Sequence, residues 1–323
     1  MPQSARTLDV LGEPYYAETL ALPPDDEGEV VATLVHRCAD QPSGKQTGRA
    51  VLHLHGFCDY FFQTVAADYW VARGYDFYAL DLRKYGRSLL PHQTPNFARD
   101  LAEYHPEIDE AFSRVSQRDG HDHVVLSGHS TGGLIGSLWA SQRSVQLSAV
   151  VLNSPWLDLN GSFLLRTAAT KAIEQVGLRR PYQSIPRSVS GLYGRSIHSD
   201  HDGEWDFDLA WKPVESWPVF AGWLRAIRRG HAAVHRGLRL DAPTLVMSSA
   251  HSVHPRVWEP AVDTSDIVLD VDLMAKWVHK LSDHVTLVRV AGALHDVTLS
   301  RQPARDRVFD ELTRWLDAYV DQR

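Results

Sequence analysis

The segment "HVVLSGHSTGGLIGSLWA", residues 123–140, constrains the fold more than any other part of the chain. An apolar, β-branched run stops at Gly128. A second apolar run, now at helical spacing, begins at Gly132. A strand must therefore become a helix within a few residues, with Ser130 at the tip of the corner. So tight a turn forces the tip residue into a strained backbone conformation. Neighbours two positions away must then be very small, or strand and helix collide. Gly128 and Gly132 supply that room, and Gly133 adds more. The serine hydroxyl is left exposed at the start of a helix, where the dipole favours negative charge. The G-x-S-x-G pattern alone is weak evidence; its strand-turn-helix context is what gives it weight.

Short β-branched runs recur along the rest of the chain, separated by helical patterns. Strands are expected at 29–37, 50–56, 75–83, 123–128, 148–155, 243–249 and 285–292. Helices are expected at roughly 60–73, 96–118, 132–143, 268–282 and 304–320. In the last of these, Val308, Leu312, Trp315, Leu316 and Tyr319 fall at helical intervals. Such alternation implies an α/β architecture, with a mostly parallel central sheet covered by helices on both faces.

The alternation breaks between about 154 and 240, a stretch rich in Pro, Gly, Arg and Trp. The chain thus divides into a first core piece (1–153), an inserted, mainly helical cap (154–240) and a second core piece (241–323). Trp205, Trp211, Trp217 and Trp223 recur every six residues, which is not a helical period. They either pack the cap onto the core or line an apolar ligand site. Trp156, at the start of the insertion, and Trp205 and Trp223 within it are candidate substrate contacts.

Composition excludes several function classes. Forty acidic residues against 33 basic ones give a formal net charge of −7, which argues against a nucleic-acid partner. Two cysteines, Cys38 and Cys58, cannot build a disulfide scaffold, and no leader or membrane-spanning run is visible. A cytoplasmic protein without stable membrane insertion is expected; the oligomeric state is left open.

A serine hydroxyl needs a base, and the base needs an orienting acid. On this architecture they should follow in the order Ser, acid, His, on loops after late strands. His295, in "AGALHDV", follows the last expected strand and is the candidate base. The acid should follow the strand at 243–249. Asp266 sits after a polar turn and before an apolar helical pattern and is preferred, with Asp263 and Asp270 as alternatives. Asp158 is a remoter one, and Asp272 reads as helix solvation. Backbone amides of Phe57 and Thr131 are the expected donors to a tetrahedral oxyanion. Gly56 lets that loop turn; His55 more plainly braces it than reacts. Tyr60, Phe61 and Phe62 are candidates for an acyl pocket, with helix packing as the alternative.

Assembled, "HLHGFCDY", "ALDLRKYGRS", "GHSTGG" and "AGALHDV" resemble serine hydrolases of the α/β-hydrolase fold. The resemblance is greatest to the monoacylglycerol lipase, lysophospholipase and serine aminopeptidase group. It covers about 50–155 and 241–320. It implies a capped hydrolase acting on a small-molecule ester of medium or long acyl chain, and a structural turn at Asp81 to Ser88. The group carries its acid in a short turn after the sixth core strand. Here the interval is longer, and "TSDIVLD" resembles that turn at Asp266. An acyltransferase using the same residues and a catalytically silent binding protein are the alternative functions.

No cofactor is expected, because no glycine-rich nucleotide motif is present. "HAAVH" places His231 and His235 one helical turn apart without the Glu of a zinc-protease helix. "HSDHD" (198–202) and "HDH" (121–123) are similar. All are expected to be solvated surface histidines, and no metal is expected.

Overall fold

The computed structural model describes residues 6–39, 47–159, 173–185 and 191–321. Nine strands form one sheet: β1 (Thr7–Leu8), β2 (Tyr16–Asp25), β3 (Gly28–Arg37), β4 (Arg49–Leu54), β5 (Asp76–Asp81), β6 (His123–His129), β7 (Ala149–Asn153), β8 (Thr244–Ser249) and β9 (Val285–Val290). Their spatial order is β1-β2-β3-β5-β4-β6-β7-β8-β9. The first three are antiparallel, and β4 to β9 run parallel.

Burial explains the parallel part. β5, β7 and β8 are buried at every position, as strands covered on both faces must be. Successive side chains alternate between two cores. Leu52, Leu54, Leu126, Val150 and Leu152 face α2 (His105–Ser113), α3 (Thr131–Ser141) and the helix Ala221–Arg236. Val51, Val125, Val151 and Leu245 face α1 (Thr64–Ala72) and the helix Ala304–Tyr319. In the latter helix Val308, Leu312, Trp315 and Leu316 are buried and Tyr319 is exposed.

The interval between β7 and β8 plays two parts. Its helix Ala221–Arg236 packs on the core: a side chain at Gly230 would lie 2.7 Å from Leu101 and 3.1 Å from Leu138. Gly191 to Trp223, by contrast, contributes residues over the C-terminal ends of the strands. Residues 160–172 and 186–190 of this insertion lie outside the described residues. Among those described, no helix is long and apolar enough to cross a membrane.

Candidate active site

Parallel register builds the site at the C-terminal ends of β4, β6 and β7. Leu54 of β4 pairs with Gly128 of β6, so the loop after Leu54 runs beside the corner at Ser130. His129 pairs with Asn153 of β7, and the Ser130 amide donates to the Asn153 carbonyl at 2.9 Å. On the other side the Trp156 amide donates to the Ser130 carbonyl at 3.0 Å. Between these ties Ser130 adopts φ 51° and ψ −115°, a conformation that costs a non-glycine residue about 1–3 kcal/mol. The close approach is steric fact at Gly132: a Cβ there would lie 2.3 Å from the His55 carbonyl oxygen. At Gly128 it would lie 2.8 Å from Gly133 Cα.

Three of the expected residues meet. Nε2 of His295 stands 3.0 Å from Ser130 Oγ, and its Nδ1 stands 2.8 Å from Asp266 Oδ2. All three are buried. The other oxygen of Asp266 accepts the amides of Val268 and Leu269, each at 2.8 Å. Both oxygens of this carboxylate are thus engaged as acceptors, which favours Nδ1–H on His295 and leaves Nε2 to accept from the serine.

The long interval before Asp266 closes on itself. Ser252 and Asp266 form a bridge, with the Val253 amide donating to the Asp266 carbonyl and the Asp266 amide to the His251 carbonyl, both at 3.0 Å. The excursion between them leaves and returns at one point, so Asp266 arrives where a short turn would have put it. The alternative acids are engaged elsewhere. Asp263 faces Arg301, and Asp270 caps the helix Val271–Trp277 through the amides of Asp272 and Leu273. Asp158 pairs with Arg228 at 2.9 Å.

A cavity of about 560 Å³ opens over Ser130. Phe57, Thr131, Trp156, Leu159, Trp223 and Leu269 are among its lining residues, together with Ser130 and His295. The Phe57 ring packs on Trp223 at 4.3 Å between centroids, and Trp223 on Trp156 at 5.8 Å. Gly56 stands behind the serine: a Cβ on it would lie 3.2 Å from Ser130 Cβ.

Several other expected contacts lie away from the cavity. His55 is buried; its Nε2 accepts the Leu82 amide at 3.0 Å and its Nδ1 lies 2.8 Å from the Gly56 carbonyl. With both nitrogens spent on backbone, it braces the loop. Phe61 packs beneath the sheet against Tyr15 and Phe77. Tyr60 turns from the cavity, its hydroxyl accepting the Asp208 amide at 2.7 Å. Trp205 donates to the Leu299 carbonyl at 2.8 Å. Trp211 packs on Tyr60 and Trp217 donates to the Trp211 carbonyl, so only Trp223 of the four reaches the cavity. Of the histidines expected on the surface, His201 is exposed and His123 and His235 are half-buried, whereas the others are placed otherwise. His231 is buried with Nε2 at 3.0 Å from the Trp156 carbonyl, and His121 and His198 are buried too. His235 is half-buried, 2.9 Å from the Leu157 carbonyl. Each finds a backbone or side-chain partner that a motif scan does not see.

A second polar cluster adjoins the site and was missed from sequence. Asp296 accepts from Asn153 Nδ2 at 2.6 Å and from the Thr298 amide and hydroxyl at 3.0 and 2.7 Å, fixing the loop that carries His295. Burial would push its carboxyl up, but nearby His129, Thr298 and Asn153 outweigh it and hold the pKa below the usual range. Lys212, from the insertion, lies 3.0 Å from Asp59 Oδ1 and donates to the Cys58 carbonyl at 3.2 Å. Asp59 stands in the loop after β4, so the insertion is ionically tied to the loop that carries Phe57. The only advance signal was an acid immediately after His295 and another two residues after Phe57.

A serine-histidine-carboxylate line at the corner of a parallel sheet, beneath an insertion, defines an α/β-hydrolase. The chain belongs to the family described as serine aminopeptidase, S33, whose model matches residues 45–301. No curated protein matches it in sequence. Among solved structures it resembles a soluble variant of monoglyceride lipase from Saccharomyces cerevisiae, at 16% identity and TM-score 0.60, covering 94% of this chain and 95% of that one. It also resembles the monoacylglycerol lipase of Paleococcus ferrophilus, at 16% identity and TM-score 0.62, covering 94% and 99%. A lipase in an open form is similar at 14% identity and TM-score 0.63, covering 95% and 100%. At these identities the likeness is one of fold.

Proposed function

We propose that this hydrolase cleaves carboxylic esters through an acyl-enzyme, with Ser130 as nucleophile, His295 as base and acid, and Asp266 as its orienting partner. The observation that carries this is the continuous line of contacts from Asp266 through His295 to Ser130 at 2.8 and 3.0 Å.

The steps follow from that line. Ser130 Oγ bonds to the ester carbonyl carbon while its proton passes to Nε2 of His295. The carbonyl oxygen becomes an anion held by the Phe57 and Thr131 amides. Collapse breaks the bond to the alcohol oxygen, which takes the proton from His295. Water then attacks the acyl carbon, gives its proton to His295, and Ser130 recovers it as the acid leaves. Asp266 keeps the imidazole aligned and stabilises its cation without taking its proton.

An ester of medium or long acyl chain, monoacylglycerol or lysophospholipid in kind, is the substrate class we favour. The aromatic and aliphatic lining supports it, as do similar structures named monoglyceride and monoacylglycerol lipases. Turnover of p-nitrophenyl esters from acetate to palmitate, followed by monoacylglycerols and lysophospholipids, tests both parts. Ester turnover should fall by at least roughly 10⁴-fold in Ser130→Ala; turnover near the native rate refutes the mechanism. A preference for acetate over every longer chain refutes the substrate class alone.

A further inference from the structure

One cluster of mixed metal-ligating side chains stands far from Ser130. The antiparallel register of β3 on β5 pairs His36 with Tyr78 and Arg37 with Phe77. Continued one residue past the end of β3, that register would set Cys38 opposite Asp76, the first residue of β5. Residues two apart share a face, so His36 and Cys38 project together. Cys38 Sγ lies 3.5 Å from His36 Nε2. These two atoms and a carboxylate oxygen of Asp76 all lie within 4.8 Å of one another. Asp76 is itself held by the Ala39 amide at 2.6 Å, and its other oxygen faces His121 Nε2 at 3.3 Å.

We propose that His36, Cys38 and Asp76 bind a zinc ion that clamps the end of β3 to the start of β5. A thiolate, an imidazole and a carboxylate together suit zinc, whereas calcium and magnesium take oxygen donors. Tetrahedral bonds of about 2.3 Å to sulfur and 2.0–2.1 Å to nitrogen separate the two donors by about 3.5 Å, the spacing that Cys38 and His36 already have. Thiolate and carboxylate balance the charge of the ion, and the thiol proton passes to solvent on binding. Arg6, the nearby cation, is engaged by Asp119. The Ala39 amide and His121 hold Asp76 from outside, as outer partners of metal ligands do. Cys38 is exposed, which gives the ion a way in. Water would complete the tetrahedron, and the position at the N-terminal end of β5, opposite the strand ends that carry Ser130, separates the ion from the ester chemistry proposed above.

The test uses the full chain, stripped with chelator and titrated first with cobalt(II), then with zinc. One cobalt per chain should bind with a thiolate-to-metal charge-transfer band in the near ultraviolet. Zinc should displace it and raise the melting temperature. Cys38→Ser should abolish the band and weaken zinc binding at least tenfold, while Asp76→Asn keeps the band and weakens binding. Absence of the band in the wild type overturns the proposal. So does zinc affinity equal in the wild type and Cys38→Ser, which would mean adventitious binding to other histidines.

Discussion

Ser130 Oγ and His295 Nε2 lie 3.0 Å apart although 165 positions separate them in the chain. The contact depends on Asp266 only for orientation, so loss of each partner should leave a different trace. Ser130→Ala should lower kcat for a p-nitrophenyl ester by at least roughly 10⁴-fold. Asp266→Asn should cost roughly 10³–10⁴-fold with KM little changed, because the imidazole is left in the wrong tautomer. A fluorophosphonate probe should label the wild type and leave Ser130→Ala unmarked.

The Thr131 hydroxyl is buried, borders the cavity and has no hydrogen-bond partner among the described residues. If it aids the bound ester, Thr131→Val should lower kcat by about tenfold, less than loss of a full oxyanion donor. Thr131→Ser should restore most of the rate. Equal kinetics for all three proteins would assign the hydroxyl no part.

Lys212 and Asp59 are both buried. Lys212→Met would strand a carboxylate out of water and should destabilise the fold by about 3–5 kcal/mol. Lys212→Met combined with Asp59→Asn should recover most of that loss. Urea unfolding of the two single variants and the double variant measures the coupling, and additive losses would contradict it.

Gly132→Ala should prevent correct folding, because the new methyl would sit 2.3 Å from a backbone oxygen that cannot retreat without moving β4. The expected loss exceeds about 3 kcal/mol and is read as insoluble protein or a collapsed melting temperature. A soluble variant of normal stability would show that strand and helix approach less closely.

Burial depresses His53 to about 4 and His231 to about 3. Their unfolded values lie near 6.5, so between these limits the unfolded chain binds the extra protons and stability rises with pH. The contribution is complete above about pH 6.5 and declines as the pH falls toward the folded values. At pH 5 each ring should cost about 2 kcal/mol relative to pH 7. Urea midpoints at the two pH values measure this, and His231→Gln should flatten the slope. An unchanged midpoint would contradict the burial of both rings.

The parallel core was legible because its strands are continuous apolar runs punctuated by glycine, and the serine corner because sterics leave so few alternatives there. β2 was not legible. Its inward face carries Glu18 beside Leu20, and Glu18 pairs with Arg114 and Arg118 on the turn that continues α2, so a charge interrupts the apolar alternation. The helix expected at 96–118 begins later, since Asp100 and Glu103 form a capping box that starts a fresh turn at Leu101. His295 could be placed from strand order alone. Asp266 could be preferred from the polar turn before an apolar helical pattern, but the Ser252 bridge that brings it into place spans fourteen residues and is not encoded locally. The roles of Tyr60, Phe61 and Trp205 depended on which way a side chain turns at the rim of a loop. Lys212 was invisible for a further reason: a lone lysine in an irregular segment acquires meaning only from the carboxylate opposite it.

The left-handed geometry at position 130 implies that durability and reactivity are opposed in this molecule. Glycine there would accept the same torsion angles freely, so Ser130→Gly should melt at a higher temperature than the native chain while doing no chemistry. On the mechanism proposed above, the strain at this corner is what it takes to hold a hydroxyl where the ester would arrive.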